Sequence, residues 1–321
     1  MTIPLIQYFV HDATINDSRI GGSQSLTISK NMEPSDVAVW GNPSQTRSKF
    51  YKKPTVNFSL EKILTDDYGP TFGSFNLAEL ITKRPVDKYD LGAKIYGGES
   101  IKLVDSVLTG ISYSFRNQGW FIENLSFQGV VSEAATAGTS GTGLTREETG
   151  IPYQRQHYLG GTLPSDIVGK TLLGIEINIS ISYAEISSFG SFPLYENKFV
   201  QLPVDISVTY ETLDRGYSQS RFDYFSNEFN DEIEYDSISI VTVPVSINLG
   251  TKNVLTSVER SGATAGDSDY SIVKYVYRNV GNYFKITFGS SNSIDGNLFE
   301  IGDPNIDGNI LSEFTFIDGN L

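Results

Sequence analysis

Phe189-Gly190-Ser191-Phe192-Pro193-Leu194-Tyr195-Glu196-Asn197-Lys198-Phe199-Val200-Gln201-Leu202-Pro203 leads into Val204-Asp205-Ile206-Ser207-Val208-Thr209-Tyr210-Glu211. After the proline, apolar and polar residues alternate without a break, the period-2 pattern of a strand with one dry and one wet face. Working back, Gly190, Lys198, Phe199 and Pro203 spell G-x7-K-F-x3-P. Gly41, Lys49, Phe50 and Pro54 repeat that spacing 149 positions earlier. Each copy follows an alternating run, marked by Leu26 and Ile28 in the first and by Ile177, Ile179 and Ile181 in the second. Each also precedes one, with Val56, Phe58 and Leu60 matching Val204, Ile206 and Val208.

A second match lies further along. Tyr113-Ser114-Phe115-Arg116-Asn117-Gln118-Gly119 aligns with Tyr275-Val276-Tyr277-Arg278-Asn279-Val280-Gly281, displaced by 162 positions. The Arg-Asn-x-Gly centres read as hairpin turns, because Asn and Gly adopt positive φ at low cost. Two motifs in one order predict two tandem copies of one domain, over residues 1–140 and 165–321. Between them, residues 141–164 continue the small-residue tract Ala134 to Gly143 and read as a Gly/Ser/Thr-rich linker or long loop.

The fold class this predicts is mainly β: two tandem small antiparallel β-barrels or sandwiches, each with a short flanking helix. In the first copy Asn76 and Glu79 form a capping-box pattern, Leu77, Leu80 and Ile81 share a face, and Pro85 ends the helix. In the second, Phe222, Phe225 and Phe229 recur at helical spacing. Trp40 and Trp120 sit beside the repeat motifs and read as structural.

The chain has 321 residues, 39% of them hydrophobic and 12% aromatic, enough apolar mass for one or two real cores. Acidic residues number 38 against 24 basic, so the net charge is -14, the wrong sign for a surface that tracks a nucleic-acid backbone. The excess is local. Asp223, Glu228, Asp231, Glu232, Glu234 and Asp236 fall in a stretch without Lys or Arg, and so do Asp295, Glu300, Asp303, Asp307, Glu313 and Asp318. Without those twelve, 26 acidic residues face 24 basic ones.

Cysteine is absent, which excludes disulfides, thiolate nucleophiles and Cys-based zinc sites. The first residues lack a cationic leader pattern, and no stretch approaches a membrane span, so no membrane role is expected. Only His11 and His157 could shuttle protons near neutral pH, and neither stands in a catalytic motif. Gly169-Lys170-Thr171 lacks the earlier glycine of a phosphate loop, Pro164 standing there. Asp303, Asn305 and Asp307, followed by Gly308 and Ile310, begin like a calcium loop. Phe314 then occupies the place of the bidentate Glu, and Asp-Gly-Asn recurs at Asp295, Asp307 and Asp318 as hairpin turns also would. The sequence therefore assigns no catalytic residue, metal or cofactor, and a non-enzymatic role is expected.

At the G-x7-K-F-x3-P segment with its flanking strands, the chain resembles structural proteins of tailed bacteriophages, tail tube proteins in particular. The resemblance is carried best by Gly190, Lys198, Phe199 and Pro203 opening the strand from Val204. It implies a virion location, a β-barrel with a flanking helix, and self-assembly into stacked trimeric or hexameric rings around a DNA channel. It also implies other virion proteins as partners. Asp223, Glu228, Asp231, Glu232, Glu234 and Asp236 are the candidates for lumen-facing charge, since a wall that repels phosphate lets DNA slide. The acidic C-terminal stretch departs from that family's pattern. It keeps open a neck, baseplate or capsid-decorating part, and beside these a carbohydrate- or cell-surface-binding β-sandwich.

Overall fold

The computed structural model describes residues 11–31, 35–37, 47–49, 55–65, 68–83, 86–95, 100–117, 119–131, 158–185, 198–215, 233–242, 245–261 and 270–288. All of these described residues belong to one compact unit. Its first elements are β1 (His11–Ile15), β2 (Ser18–Arg19), β3 (Ser23–Asn31), β4 (Ser35–Val37), β5 (Arg47–Lys49) and β6 (Thr55–Ile63). Then come β7 (Phe75–Asn76), α1 (Leu77–Thr82), β8 (Tyr89–Ile95), β9 (Ser100–Arg116) and β10 (Ile122–Val131). The rest are β11 (Tyr158–Gly160), β12 (Thr171–Ser180), β13 (Tyr183–Glu185), β14 (Lys198–Val200), β15 (Asp205–Arg215), β16 (Ser239–Thr242), β17 (Val245–Asn248), β18 (Asn253–Ser261), β19 (Tyr270–Asn279) and β20 (Lys285–Phe288). The protein is mainly β with antiparallel sheets, and α1 is the one helix among the described residues.

Period-2 patterning sets the main sheet, whose long path runs β18-β19-β15-β12-β9-β10-β6-β3. On β6, Val56, Phe58 and Leu60 are buried while Asn57 and Ser59 are exposed. On β12, Ile175, Ile177 and Ile179 are buried and Glu176 is exposed. A chain-order pattern follows. Among β3, β6, β9 and β10 the spatial order is first, second, fourth, third, and β12, β15, β18 and β19 stand in the same order. A two-stranded hairpin separates the first two strands each time, β4–β5 after β3 and β13–β14 after β12. Residues on either side of the expected boundary share one sheet, because β9 pairs with β12 from Gly110↔Ser180 to Arg116↔Gly174.

No closed barrel forms, contrary to one form of the expected fold. β9 has a partner to spare: its first part pairs with β8 and its last part with β12, while β10 runs along the opposite edge. Asp105, at φ 55, and the register shifts between β9 and β10 bend the strand where it changes partner. The sheet thus branches at β9, one arm running through β8 to β1 and β2 and the other through β12 into the later strands.

A second sheet, in the order β11-β16-β17-β20-β7, packs on the same core. Ile240, Ile247, Phe284 and Ile286 share that core with Tyr113, Tyr210, Tyr275 and Tyr277 of the main sheet, and the Phe284 and Tyr113 rings stack at 6.3 Å. α1 begins as its sequence predicts, with Asn76 Oδ1 accepting from the Ala78 amide at 3.1 Å and Leu77 and Leu80 buried. The helix expected around Phe222 to Phe229, and Pro85, lie outside the described residues. Tyr158–Gly160, within the tract read as a linker, is strand β11 and pairs with β16.

The second repeated motif falls on strands that do not correspond. Arg116 ends β9, the third of its set in the chain, whereas Arg278 lies near the end of β19, the fourth of its set. The Arg116 turn is a hairpin to β10, closed by the Gly119 amide donating to Arg116 O at 3.3 Å. The Arg278 turn instead leaves the sheet for β20. Its cause is Asn279, 3% exposed, whose amide donates to Leu249 O and to Asn253 Oδ1 (2.8 Å). Its carbonyl accepts from the Gly281 and Tyr283 amides, each at 3.1 Å. The positive φ of this turn is carried by Asn282 (φ 51).

Gly129 supplies a test of the β9–β10 bend. A Cβ added there collides with Ser106 Oγ and falls 3.1 Å from Ser106 Cα, so the hydroxyl must leave its place and the strand must give slightly. Gly129→Ala is expected to lower unfolding stability by about 1–3 kcal/mol, as overpacking does. Urea denaturation of the two proteins measures it, and equal midpoints contradict this account of the bulge.

Candidate functional site

The wet phase of the strands assembles into one broad polar face. Ladder partners align Ser25, Glu61, Asn124, Ser112, Asn178, Ser207, Arg278 and Val254 in a single row from β3 to β18. The neighbouring row toward the β15 start holds Thr27, Ser59, Ser126, Gly110, Ser180 and Asp205. On the other side Ser114, Glu176, Thr209, Val276 and Ser257 continue the pattern. Short hydroxyl and amide side chains dominate these rows. Among the described side chains on this face, Glu61, Glu176, Asp205, Glu211 and Glu259 outnumber Arg116, Lys274 and Arg278. The field over the face is therefore weakly negative. Arg278 Nε meets Asp205 Oδ1 at 3.2 Å with both side chains more than half exposed, a contact of small energetic weight.

This face ends on two edges. Among the described residues, β3 ladders only with β6, and β18 only with β19. One further backbone bridge touches the β18 edge, at Asp236↔Asn253.

The residues singled out in the sequence fall in several places. Lys49 ends β5, Lys198 and Phe199 begin β14, and Pro203 lies exposed just before β15. Gly41, Phe50, Pro54 and Gly190 lie outside the described residues. Arg116, Asn117 and Gly119 form the β9–β10 turn, while Arg278, Asn279 and Gly281 lead to β20. Of the acidic candidates, Asp223, Glu228, Asp231 and Glu232 lie outside the described residues, as do Asp303, Asn305 and Asp307. Glu234 is exposed, but Asp236 is 8% exposed. Its backbone is held by Asn253, which draws the residue into the protein, so its carboxylate is not a surface charge. Trp120 is 48% exposed in its turn and does not belong to the core.

Sequence reasoning missed the polar face itself. Its signal was present in the polar phase of each alternating run, Ser112-x-Ser114 and Glu176-x-Asn178-x-Ser180 among them.

On the opposite side of the sheet, Glu123 is fully buried yet satisfied. It accepts from Tyr113 OH at 2.9 Å, from the Thr71 amide at 2.9 Å and from Thr71 Oγ1 at 2.6 Å. Lys62, its ladder neighbour, donates to Gly69 O. These bonds pin residues 68–71 onto β6 and β10, which is a structural role. Burial lowers the Lys62 pKa, with Glu123 opposing the shift. Among the described residues no group of His, Asp and Glu side chains is placed to hold a metal. No protein-family model matches the chain, and no curated protein does either.

Burial also governs the tyrosines. It pushes Tyr89, with help from Asp87, and Tyr158 up to about 12. Tyr113, Tyr183 and Tyr210 are raised as well, burial again the leading cause. A raised folded-state value means stability that is whole below the ordinary tyrosine value near 10 and lost as pH climbs through the folded values. Lys62 acts with the opposite sign, but one lysine stands against five tyrosines. The unfolding free energy should fall between pH 10 and pH 12 in step with delayed tyrosinate absorbance. Denaturant titrations across that interval check it, and a flat profile contradicts it.

Proposed function

We propose that this chain is a non-enzymatic structural subunit of a tailed-bacteriophage particle, most like a tail tube protein built from a duplicated domain. One observation carries the reading: a continuous eight-strand antiparallel path whose two end strands each ladder with a single partner among the described residues, with one side polar and richer in carboxylates than in cations. The shared strand order of the two four-strand sets, and the hairpin following the first strand of each, support duplication, whereas Arg116 and Arg278, on strands that do not correspond, speak against it. Open antiparallel edges are ready templates for strand addition, and addition of copies in one direction closes rings. With the core-facing side outward, a ring of such sheets has a wall of Ser, Thr and Asn side chains. Phosphates passing such a wall meet more carboxylates than cations, so salt-dependent adhesion of DNA is weak.

Negative-stain microscopy of the purified chain tests the assignment. Closed rings, or tubes of stacked rings, are expected. A discrete monomer retained on polysaccharide would instead establish a binding module. Ile28→Lys puts a charge on the inward side of the β3 edge, where Ile28 is half-buried, and should abolish rings while leaving the far-UV spectrum unchanged. Rings that persist in this variant contradict assembly through that edge.

A further inference from the structure

Resting on the ring assembly proposed above, we infer that β18 of one copy pairs antiparallel with β3 of the next at a step of four residues. Leu255 then faces Ile28, and Val258 faces Leu26. The argument starts from the row that joins Ser25 to Val254 straight across the sheet. From that row β3 runs on to Asn31 toward the Pro203 end, while β18 runs on to Ser261 toward the Trp120 end. The sheet is a parallelogram, and its two edges overlap along their length only if the next copy is stepped along the strands.

Three physical conditions select the step. It must be even, because an odd slip turns the apolar phase of β3 to the wet side. Backbone direction also agrees. Bonding sides alternate from strand to strand along a row, so over eight strands the outward-pointing amides of β3 and β18 fall in the same rows. The Asn253 amide and carbonyl, bonded to Asp236 beyond the edge, show that alternation on β18 and end the shared ladder at Ser29 opposite Val254. Side-chain matching then decides. A step of two sets Val258 against Ser23, and a step of six sets Leu255 against Lys30 and Leu26 against Arg260. A step of four covers the two half-buried side chains of the β3 edge, Leu26 and Ile28, with Val258 and Leu255, which are 7% and 6% exposed. The wet side then brings Ser257 opposite Thr27 and Glu259 opposite Ser25, continuing the polar rows from copy to copy. A step of ~13 Å over eight strands spanning ~38 Å tilts the strands about 20° from the ring axis, whatever the number of copies.

The absence of cysteine makes the test clean. Facing residues of an antiparallel pair have Cα atoms roughly 4.5–5.5 Å apart, within disulfide range. The same two positions within one chain are about 34 Å apart across the sheet, so any bridge joins two copies. T27C/S257C, oxidised under assembling conditions, should give a ladder of covalent multimers on non-reducing gels. The yield should be at least tenfold above S25C/S257C and S29C/S257C, which report steps of two and six. S25C/E259C reports the same four-residue step independently, should the first pair disturb folding. Cross-linking of either control at equal yield overturns the register, and so do rings in which neither matched pair links. Matched links in assemblies that are not rings leave the register standing and overturn the tube reading. A chain that stays monomeric overturns both.

Discussion

Every larger feature of this protein depends on the ladder between β9 and β12. On its dry side Ile111, Tyr113 and Phe115 stand opposite Ile179, Ile177 and Ile175, all buried, and on its wet side Ser112 stands opposite Asn178. Without those pairs the long path would split into two four-strand sheets with two more open edges and no common polar face. The ladder exists because β9, at 17 residues, outreaches β8, leaving Gly110–Arg116 free on one edge for a new partner. The length of one strand thus sets the width of the sheet.

Polar atoms inside the core fix its details. Glu123 with Tyr113 and Thr71 ties a loop to the centre of the main sheet. Asn253 and Asn279 bond one another and the backbone around Leu249, holding together the point where the chain passes from one sheet to the other. In both places the bonds leave few alternative arrangements, since an unmet buried group is costly. The apolar pairs supply cohesion, and these polar pairs choose one packing among several.

Local features were legible in the sequence to the extent that their causes are local. Alternation at Val56, Phe58 and Leu60 and at Ile175, Ile177 and Ile179 placed strands correctly, and Asn76 and Glu79 marked the start of α1. The turn at Arg278 was misread because its conformation answers to Leu249 and Asn253, which only the fold brings near. Barrel and sandwich both stood as readings because strand patterning says which face is dry but not which edge finds a partner. Asp236 counted as a surface charge for a similar reason: its backbone bonds to Asn253 form only in the fold. The polar face could have been read from the wet phase of the same runs, yet its continuity over eight strands depends on register.

The pairing of β7 with β20 imposes an order on biosynthesis. Asn76 lies opposite Lys285, and the Phe288 amide reaches Ser74 Oγ across 214 residues of chain. The second layer is therefore incomplete while the ribosome is still making most of the protein, and the nascent chain holds its early strands uncapped. Contacts so distant in the chain form slowly because loop closure must precede them. Completion of the layered core therefore waits until Lys285–Phe288 has been made, and no earlier stretch of the chain can stand in for that strand.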